Sequence, residues 1–180
     1  AAPTPPALIH WWESVGIKLC EGFGQTEAMG LIATDPDERR IGSIGRPVGE
    51  VKVKIGDNDE MLIKAKGCTP GYYNRPDKTA ELWQDGWLHT GDIGEFTSDG
   101  NLKITDRKKE IIVNLGGDNI SPSKIENLLC LNEKIKQSFV YGDKKNYLVA
   151  LVVTETQENK NEIENYLENL NKSLSLVEKV

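Results

Sequence analysis

The tightest constraint on the fold is a turn signal, Asp99-Gly100, that separates two runs of alternating apolar and polar residues. Asp-Gly favours a tight hairpin because both residues tolerate the backbone angles that such a turn demands. The sequence therefore predicts that residues 93–97 and 101–105 pair as antiparallel strands. That pairing brings Asp92 and Asp106-Arg107 to one end of the hairpin, where a carboxylate beside a guanidinium suits a hydroxyl-bearing ligand such as a ribose. A plain surface ion pair is the alternative.

Composition excludes several classes of protein. The 180 residues, of which 38% are hydrophobic, suffice for one ordinary domain or two small ones. A net charge of −6 argues against a nucleic-acid surface. Cys20, Cys68 and Cys130 are far apart and form no CxxC pair, which favours a reduced, cytoplasmic compartment without a zinc site or disulfides. No apolar run has the length of a membrane span. His10 and His89 have no partners at ligand spacing and are interpreted as structural or solvent-facing.

The first twenty residues predict a helix followed by a strand. Thr4-Pro5 is typical of a helix start, and the helix is expected to run to about Ser14, with Gly16 ending it. Residues 17–20 are expected to form a short buried strand. The predicted apolar stripe of the helix consists of Leu8, Trp11, Trp12 and Val15.

A glycine-containing loop follows, residues 21–30 (EGFGQTEAMG). Glycines after a strand permit tight turns and the close approach of a ligand. Thr26 and Glu27 add a hydroxyl and a carboxylate, so the loop could hold a phosphate, with Glu27 binding a hard cation such as magnesium. An ordinary turn is the alternative.

The middle of the chain, residues 41–104, is rich in predicted strands. Residues 51–55 and 61–65 alternate in polarity on either side of a turn, which indicates short antiparallel strands arranged as a small barrel or sandwich. A short helix is predicted to end near Trp83. The aromatic pair Tyr72-Tyr73 is assigned to the core, with ligand contact as the alternative.

The character of the chain changes at Lys108-Lys109, where we place the boundary between a β-rich body and a smaller α+β unit. Residues 110–115 are predicted as a strand, and Ser121-Pro122 as the capped start of a helix. Two further strands are predicted at residues 139–142 and 147–153, and a helix is predicted from about Thr156.

Four stretches together resemble the acyl-adenylate-forming family, which includes acyl-CoA synthetases, luciferases and the adenylation domains of peptide synthetases. They occur in the family's order, as residues 21–27 (EGFGQTE), 86–92 (GWLHTGD), 106–112 (DRKKEII) and 116–122 (GGDNISP). Within the family, the last two stretches are most similar to the long-chain fatty acyl-CoA synthetase branch.

The resemblance implies a mixed α/β and α+β fold that carries the C-terminal part of such an enzyme. Residues 1–107 would be the end of the large domain: residues 1–40 would form an α/β piece with the adenine and phosphate loop, and residues 41–107 a small distorted antiparallel β-barrel. Residues 108–180 would be a small mobile C-terminal domain, cut short.

The resemblance also implies a nucleotide site. Phe23 would lie against the adenine, Thr26 would donate to the α-phosphate, and Glu27 would hold Mg²⁺. Asp92 would accept the ribose hydroxyls beside Arg107. The complete implied set for the nucleotide and coenzyme A is Gly22, Phe23, Gly24, Gln25, Thr26, Asp92, Ile104, Arg107, Gly116 and Gly117.

Two half-reactions are implied. A fatty acid and ATP would give an acyl-adenylate and pyrophosphate, with Thr26 and Glu27 at the reacting phosphate. The small domain would then turn about the hinge Lys109, and Gly116 and Gly117 would approach the pantetheine of coenzyme A, whose thiol takes the acyl group.

Departures from the family pattern limit what this chain is expected to do alone. The family's phosphate loop, acyl tunnel and late catalytic lysine find no match in these residues, so the chain is expected to be an inactive fragment of a ligase. Alternatives are a ligase for an aryl, short-chain or carrier-protein-linked acid, or a non-catalytic nucleotide-binding fragment. No nucleic-acid partner is expected; peripheral membrane association and the oligomeric state remain open.

Overall fold

The computed structural model describes residues 4–155 and 160–180. The chain divides into two compact units, a first unit of residues 1–108 and a second unit of residues 109–180. The fold is mixed α/β, as predicted, and its sheets are small and antiparallel. No helix among the described residues is long and apolar enough to cross a membrane.

The first unit is mostly strands. Its elements are α1 (Pro6–Ser14), β1 (Gly22–Gln25), β2 (Ala28–Ala33), β3 (Arg46–Pro47), β4 (Lys52–Ile55), β5 (Glu60–Lys64), α2 (Pro76–Leu82), β6 (Trp83–Gln84), β7 (Trp87–Phe96) and β8 (Leu102–Arg107).

Helix α1 ends at Ser14 near Gly16, as predicted, but the predicted apolar stripe is wrong. Ile9 is the buried residue of this helix, whereas Leu8, Trp11 and Val15 are about half exposed. Ile9 shares its surroundings with Leu19 and Ile41, which lie outside the strands, and tertiary contacts therefore override the pattern of the isolated helix.

The buried strand predicted at residues 17–20 is also wrong. These residues have no regular structure, and Ile17 is exposed. The carbonyl of Leu19 accepts a hydrogen bond from the Arg39 side chain at 2.8 Å instead of a strand partner. Pairing begins only at Gly22, opposite Ala33.

Two sheets replace the expected barrel. Strands β1, β2 and β3 form one sheet, and a second has the order β4-β5-β7-β6 with β8 also pairing β7. Isolated bridges join Ala28 to Cys68 and Gly45 to Leu102. Among the described residues these sheets do not close into a barrel, because their link consists of such single bridges rather than a continuous ladder.

The predicted hairpins are confirmed. Strands β4 and β5 pair antiparallel across the turn at Asp57–Asp59. Strands β7 and β8 pair on either side of Asp99-Gly100, with Phe96 opposite Leu102. The side chains at the centre of this unit are fully buried and apolar: Ile32, Met61, Ile63, Leu88 and Leu102.

The assignment of Tyr72 and Tyr73 to the core is wrong. Tyr73 is 92% exposed, and Tyr72 is also exposed. Leu82 of α2 is buried in the core instead, and α2 ends just before Trp83, as predicted.

The second unit packs two helices and a hairpin around its own core. Its elements are β9 (Ile112–Val113), β10 (Asn119–Ile120), α3 (Pro122–Leu129), β11 (Ile135–Tyr141), β12 (Val149–Thr154) and α4 (Lys160–Ser173). The cap is confirmed, since the Ser121 hydroxyl accepts a hydrogen bond from the Lys124 backbone N–H at 3.2 Å. The strand predicted at residues 110–115 is reduced to β9. The predicted helix start near Thr156 lies outside the described residues.

Candidate functional site

The strongest candidate site is an ion pair between neighbouring strands. Asp92 of β7 lies directly opposite Arg107 of β8. Arg107 Nε lies 2.8 Å from Asp92 Oδ1. The sequence prediction that these two residues meet at one end of the hairpin is confirmed; the identity of their ligand stays a prediction.

The two partners differ in exposure. The Asp92 side chain is 5% exposed, whereas the Arg107 side chain is 49% exposed. Thr90 fixes the backbone below the carboxylate, since its hydroxyl donates to the Met61 carbonyl at 2.6 Å and accepts from the Asp92 N–H at 3.1 Å. The guanidinium is therefore the partner with more freedom to move.

A second buried carboxylate, Glu60 at the start of β5, lies close to this pair. Its Oε2 accepts hydrogen bonds from Lys108 Nζ at 2.8 Å and His89 Nδ1 at 3.1 Å, and its Oε1 accepts the Gly91 N–H at 3.0 Å. Burial alone would raise the pKa of Glu60, but the donors Lys108, His89 and Gly91 outweigh it and lower that pKa. The sequence analysis did not identify Glu60 as a site residue. The contact of His89 with Glu60 agrees with the interpretation of His89 as a structural residue.

The Thr26-Glu27 pair forms the turn between β1 and β2. The Glu27 carboxylate accepts a hydrogen bond from the Tyr72 hydroxyl at 2.5 Å, and its carbonyl accepts the Thr69 N–H at 2.8 Å. The hydrogen bond to Glu27, together with burial, raises the pKa of Tyr72. The sequence analysis assigned Tyr72 to the core, whereas its hydroxyl contacts Glu27 at this turn.

Glu27 fits a magnesium ion held mainly by phosphates. Among residues 4–155 and 160–180, no three or more His, Cys, Asp or Glu side chains are grouped as metal ligands. Magnesium is commonly bound through one or two carboxylates together with substrate phosphates, so a single carboxylate on a turn is a suitable donor.

Several other residues of the predicted nucleotide set lie in the core or on strand β1 of the first unit. Phe23 is buried in the core of the first unit, and Ile104 packs against that core. Gly22 and Gln25 lie on β1. A Cβ on Gly24 would lie 2.7 Å from the Gly30 backbone nitrogen, so the closeness of the β1–β2 hairpin requires glycine there. Phe23 is 8% exposed, and its adenine-binding role stays a prediction.

Hydrogen bonds connect the Thr26-Glu27 turn to strand β7 within the first unit. Thr69, which donates to the Glu27 carbonyl, accepts a hydrogen bond from Trp83 Nε1 at 3.0 Å. Trp83 belongs to β6, which pairs with Leu88 of β7, the strand that carries Asp92. The Thr26-Glu27 turn and the Asp92–Arg107 pair are therefore both connected to the sheet that contains β6 and β7.

In the second unit, Lys109 is the first residue, and Gly116 and Gly117 lie in the turn between β9 and β10. Gly117 has φ +86°, which favours glycine, and its N–H donates to the Asn114 carbonyl at 3.1 Å. The Asp118 N–H donates to the Asn114 side chain at 2.8 Å. Turn geometry thus accounts for Gly117, and the pantetheine role of the two glycines stays a prediction.

Comparison with known proteins identifies the family of the chain. The family model for AMP-binding enzymes matches residues 1–73, and the model for the AMP-binding enzyme C-terminal domain matches residues 109–180. The chain is 36% identical over 157 residues to the long-chain-fatty-acid–CoA ligase FadD15 of Mycobacterium bovis, covering 87% of this chain and 26% of that protein. It is 37% identical over 172 residues to human long-chain-fatty-acid–CoA ligase 1, covering 87% and 25%. The chain thus spans about a quarter of the length of these relatives.

Solved structures of similar fold include the O-succinylbenzoate coenzyme A synthetase of Bacillus subtilis in complex with AMP. That structure has a TM-score of 0.85 and 25% identity, covering 99% of this chain and 39% of the synthetase. The same synthetase with ATP and a magnesium ion has a TM-score of 0.85 at 24% identity, which is a likeness of fold alone; the match covers 99% of this chain and 40% of the synthetase. Family models of AMP-binding enzymes thus match two parts of the chain, residues 1–73 and 109–180. The chain belongs to the AMP-binding enzyme family.

Proposed function

We propose that this chain supplies the ribose-binding pair and the domain junction of an AMP-forming ligase that joins a long-chain fatty acid to coenzyme A. The observation that carries the proposal is the buried Asp92 carboxylate paired with the half-exposed Arg107 guanidinium. The named activity of the two ligases at 36% and 37% identity supports the fatty-acid substrate.

The ribose end of the site follows from hydrogen-bond chemistry. An ionised carboxylate accepts hydrogen bonds only, and its two oxygens suit the two adjacent hydroxyls of a ribose. Thr90 holds the backbone N–H of Asp92 and the carboxylate is buried, so its oxygens have little room to move, while Arg107 turns outward to admit the sugar. Preorganised acceptors of this kind bind with little loss of side-chain freedom.

At the phosphate end, Thr26 offers an exposed hydroxyl to the α-phosphate, and Glu27, held by Tyr72, offers a carboxylate to magnesium. Magnesium, when bound, would neutralise charge on the phosphates. The fatty carboxylate attacks the α-phosphorus, pyrophosphate leaves, and the coenzyme A thiol then displaces AMP from the acyl-adenylate. The residues of this chain contribute position and charge to these steps, and a change of backbone angles at Lys109 separates the two half-reactions.

Two measurements test the proposal. Calorimetric titration of the chain with AMP should give binding, and GMP or inorganic phosphate should compete poorly. In the complete gene product that carries this sequence, ATP–pyrophosphate exchange should be fastest with long-chain acids such as hexadecanoate. Exchange that is absent with every acid tested, or AMP binding that is absent in the complete protein, would contradict the proposal.

A second candidate is a ligase for an aryl acid. It is favoured by the match of 99% of this chain to the o-succinylbenzoate synthetase with a TM-score of 0.85. The same exchange assay with benzoate and o-succinylbenzoate distinguishes the two candidates, since an aryl ligase should prefer these acids to hexadecanoate. A protein that binds AMP but exchanges with no acid would be a non-catalytic nucleotide-binding member.

A further inference from the structure

The Glu60 carboxylate is an unusual choice for its position. It opens β5, whose next three residues are buried and apolar, and its own side chain is 5% exposed. Burying a carboxylate carries a large desolvation cost unless donors surround it. An apolar residue would suit this strand position better than a carboxylate. The groups that donate hydrogen bonds to Glu60 therefore indicate what the carboxylate does.

Those donors flank the Asp92–Arg107 pair on both strands. Gly91 immediately precedes Asp92 on β7, and Lys108 immediately follows Arg107 at the end of β8. The two flanking residues also bond to each other, since the Lys108 N–H donates to the Gly91 carbonyl at 2.8 Å. The Glu60 carboxylate therefore binds the Gly91 backbone, next to Asp92, and the Lys108 side chain, next to Arg107.

Lys108 is also the last residue of the first unit, and Lys109 begins the second. Its ammonium group is bound to Glu60 although the side chain is 45% exposed. A hydrogen bond to an ionised group is stronger than one between neutral groups, so this contact restrains the residue directly before the junction.

We propose that Glu60 is a positioning residue that anchors Gly91 and Lys108, and thereby fixes Lys109 as the first mobile residue of the junction. The anchoring keeps Asp92 and Arg107 in register while the chain beyond Lys108 changes direction. The consequence for nucleotide binding rests on the proposed function; the anchoring itself does not.

Amide hydrogen exchange, followed by NMR on the 180-residue chain, tests the anchoring. Glu60→Gln keeps the shape of the side chain and removes its charge. Exchange at the Gly91 amide, which donates to Glu60, should become about tenfold faster or more, as expected from weakening a charge-assisted hydrogen bond. The Lys108 amide, which donates to the Gly91 carbonyl, should accelerate with it. The Leu102 amide, which donates to the Gly45 carbonyl at 2.8 Å, is the internal reference and should stay within about twofold.

The matched control is Glu95→Gln, which removes an exposed carboxylate from the same hairpin, where it pairs with Lys103. This variant should leave exchange at Gly91 and Lys108 unchanged. Equal acceleration at Leu102 and at the two anchored amides, or no acceleration at all in Glu60→Gln, would overturn the proposal.

If Glu60→Gln does not fold, variants of the half-exposed Lys108 decide the question. Lys108→Met should speed exchange at its own amide, and Lys108→Arg, which keeps a charged donor, should restore it to within about twofold of the wild type. Equal exchange in the methionine and arginine variants would overturn the role of the charged contact.

AMP titration separates this inference from the function on which it builds. Affinity should fall about tenfold in Glu60→Gln and stay unchanged in Glu95→Gln, because the pair loses its register only in the first variant. Faster exchange with unchanged AMP affinity would overturn the link to the ribose pair. A wild-type chain that shows the anchored amides but no AMP binding would contradict the proposed function and leave the anchoring intact.

Discussion

Removing the Arg107 guanidinium should destabilise the first unit through the carboxylate that it leaves behind. Taking one partner from a buried ion pair costs about 3–5 kcal/mol, whereas an exposed pair is worth about 0–1 kcal/mol. Asp92 is 5% exposed and Arg107 is 49% exposed, which places this pair between the two cases. We therefore expect Arg107→Met to lower the free energy of unfolding of the first unit by about 2 kcal/mol.

A double-mutant cycle separates the ion pair from other effects of the substitution. In an Asp92→Asn background the same Arg107→Met change should cost less than about 0.5 kcal/mol, because no buried charge is then stranded. Urea unfolding followed by tryptophan fluorescence is the assay, since all four tryptophans of the chain lie in the first unit. They are Trp11, Trp12, Trp83 and Trp87.

The control cycle uses Glu95 and Lys103, which also lie opposite each other on β7 and β8 but are both exposed. Their coupling should stay below about 0.5 kcal/mol. An equally small Asp92–Arg107 coupling would show that the Asp92 carboxylate is well solvated. It would contradict the proposal that Asp92 is a buried, preorganised acceptor.

Three further predictions concern the two units separately. Ser121→Ala removes the cap of α3 and should lower the stability of the second unit by about 1 kcal/mol, measured by far-UV circular dichroism during unfolding. Ile63→Ala, at a fully buried site, should cost the first unit about 2–5 kcal/mol, whereas Tyr73→Ala should change it by less than about 0.5 kcal/mol; equal effects would contradict the assigned core. The pKa of Glu60 is lowered in the folded chain by Lys108, His89 and the Gly91 amide despite burial, so its contribution to stability is present above its ordinary value of 4.5 and is lost as the pH falls through the lower folded pKa. Acid titration of tryptophan fluorescence should show this loss, and Glu60→Gln should weaken the pH dependence.

The meeting of Asp92 and Arg107 at one end of the hairpin could be predicted because its signal is local. The Asp99-Gly100 turn pairs the two adjacent strands, and a shift of one residue in their register between Ile93 and Gly94 places Asp92 opposite Arg107 rather than Asp106. Ser121 was predictable for the same reason, since a cap acts within one helical turn of its own position.

Long-range contacts account for what the sequence analysis missed. Glu60 meets Lys108 across 48 residues, and Tyr72 meets Glu27 across 45, so no local pattern connects them. Sheet closure likewise depends on distant strands, and the barrel expectation failed because, in the described part of the chain, isolated bridges rather than a continuous ladder join the two sheets. The exposed stripe of α1 shows the limit of periodicity, which identifies a helix but not the face that its surroundings cover.

The most direct test of the ribose assignment compares AMP with 2′,3′-dideoxy-AMP, which lacks both hydroxyls. Calorimetric titration of the chain should show a preference for AMP of about 100-fold or more, because two hydrogen bonds to a charged acceptor are lost and each is worth about 1.5–3 kcal/mol. Asp92→Asn should remove most of this preference, and Glu95→Gln should keep it. A preference that survives in Asp92→Asn, or equal affinity for the two nucleotides in the wild-type chain, would contradict the assignment of Asp92 to the ribose.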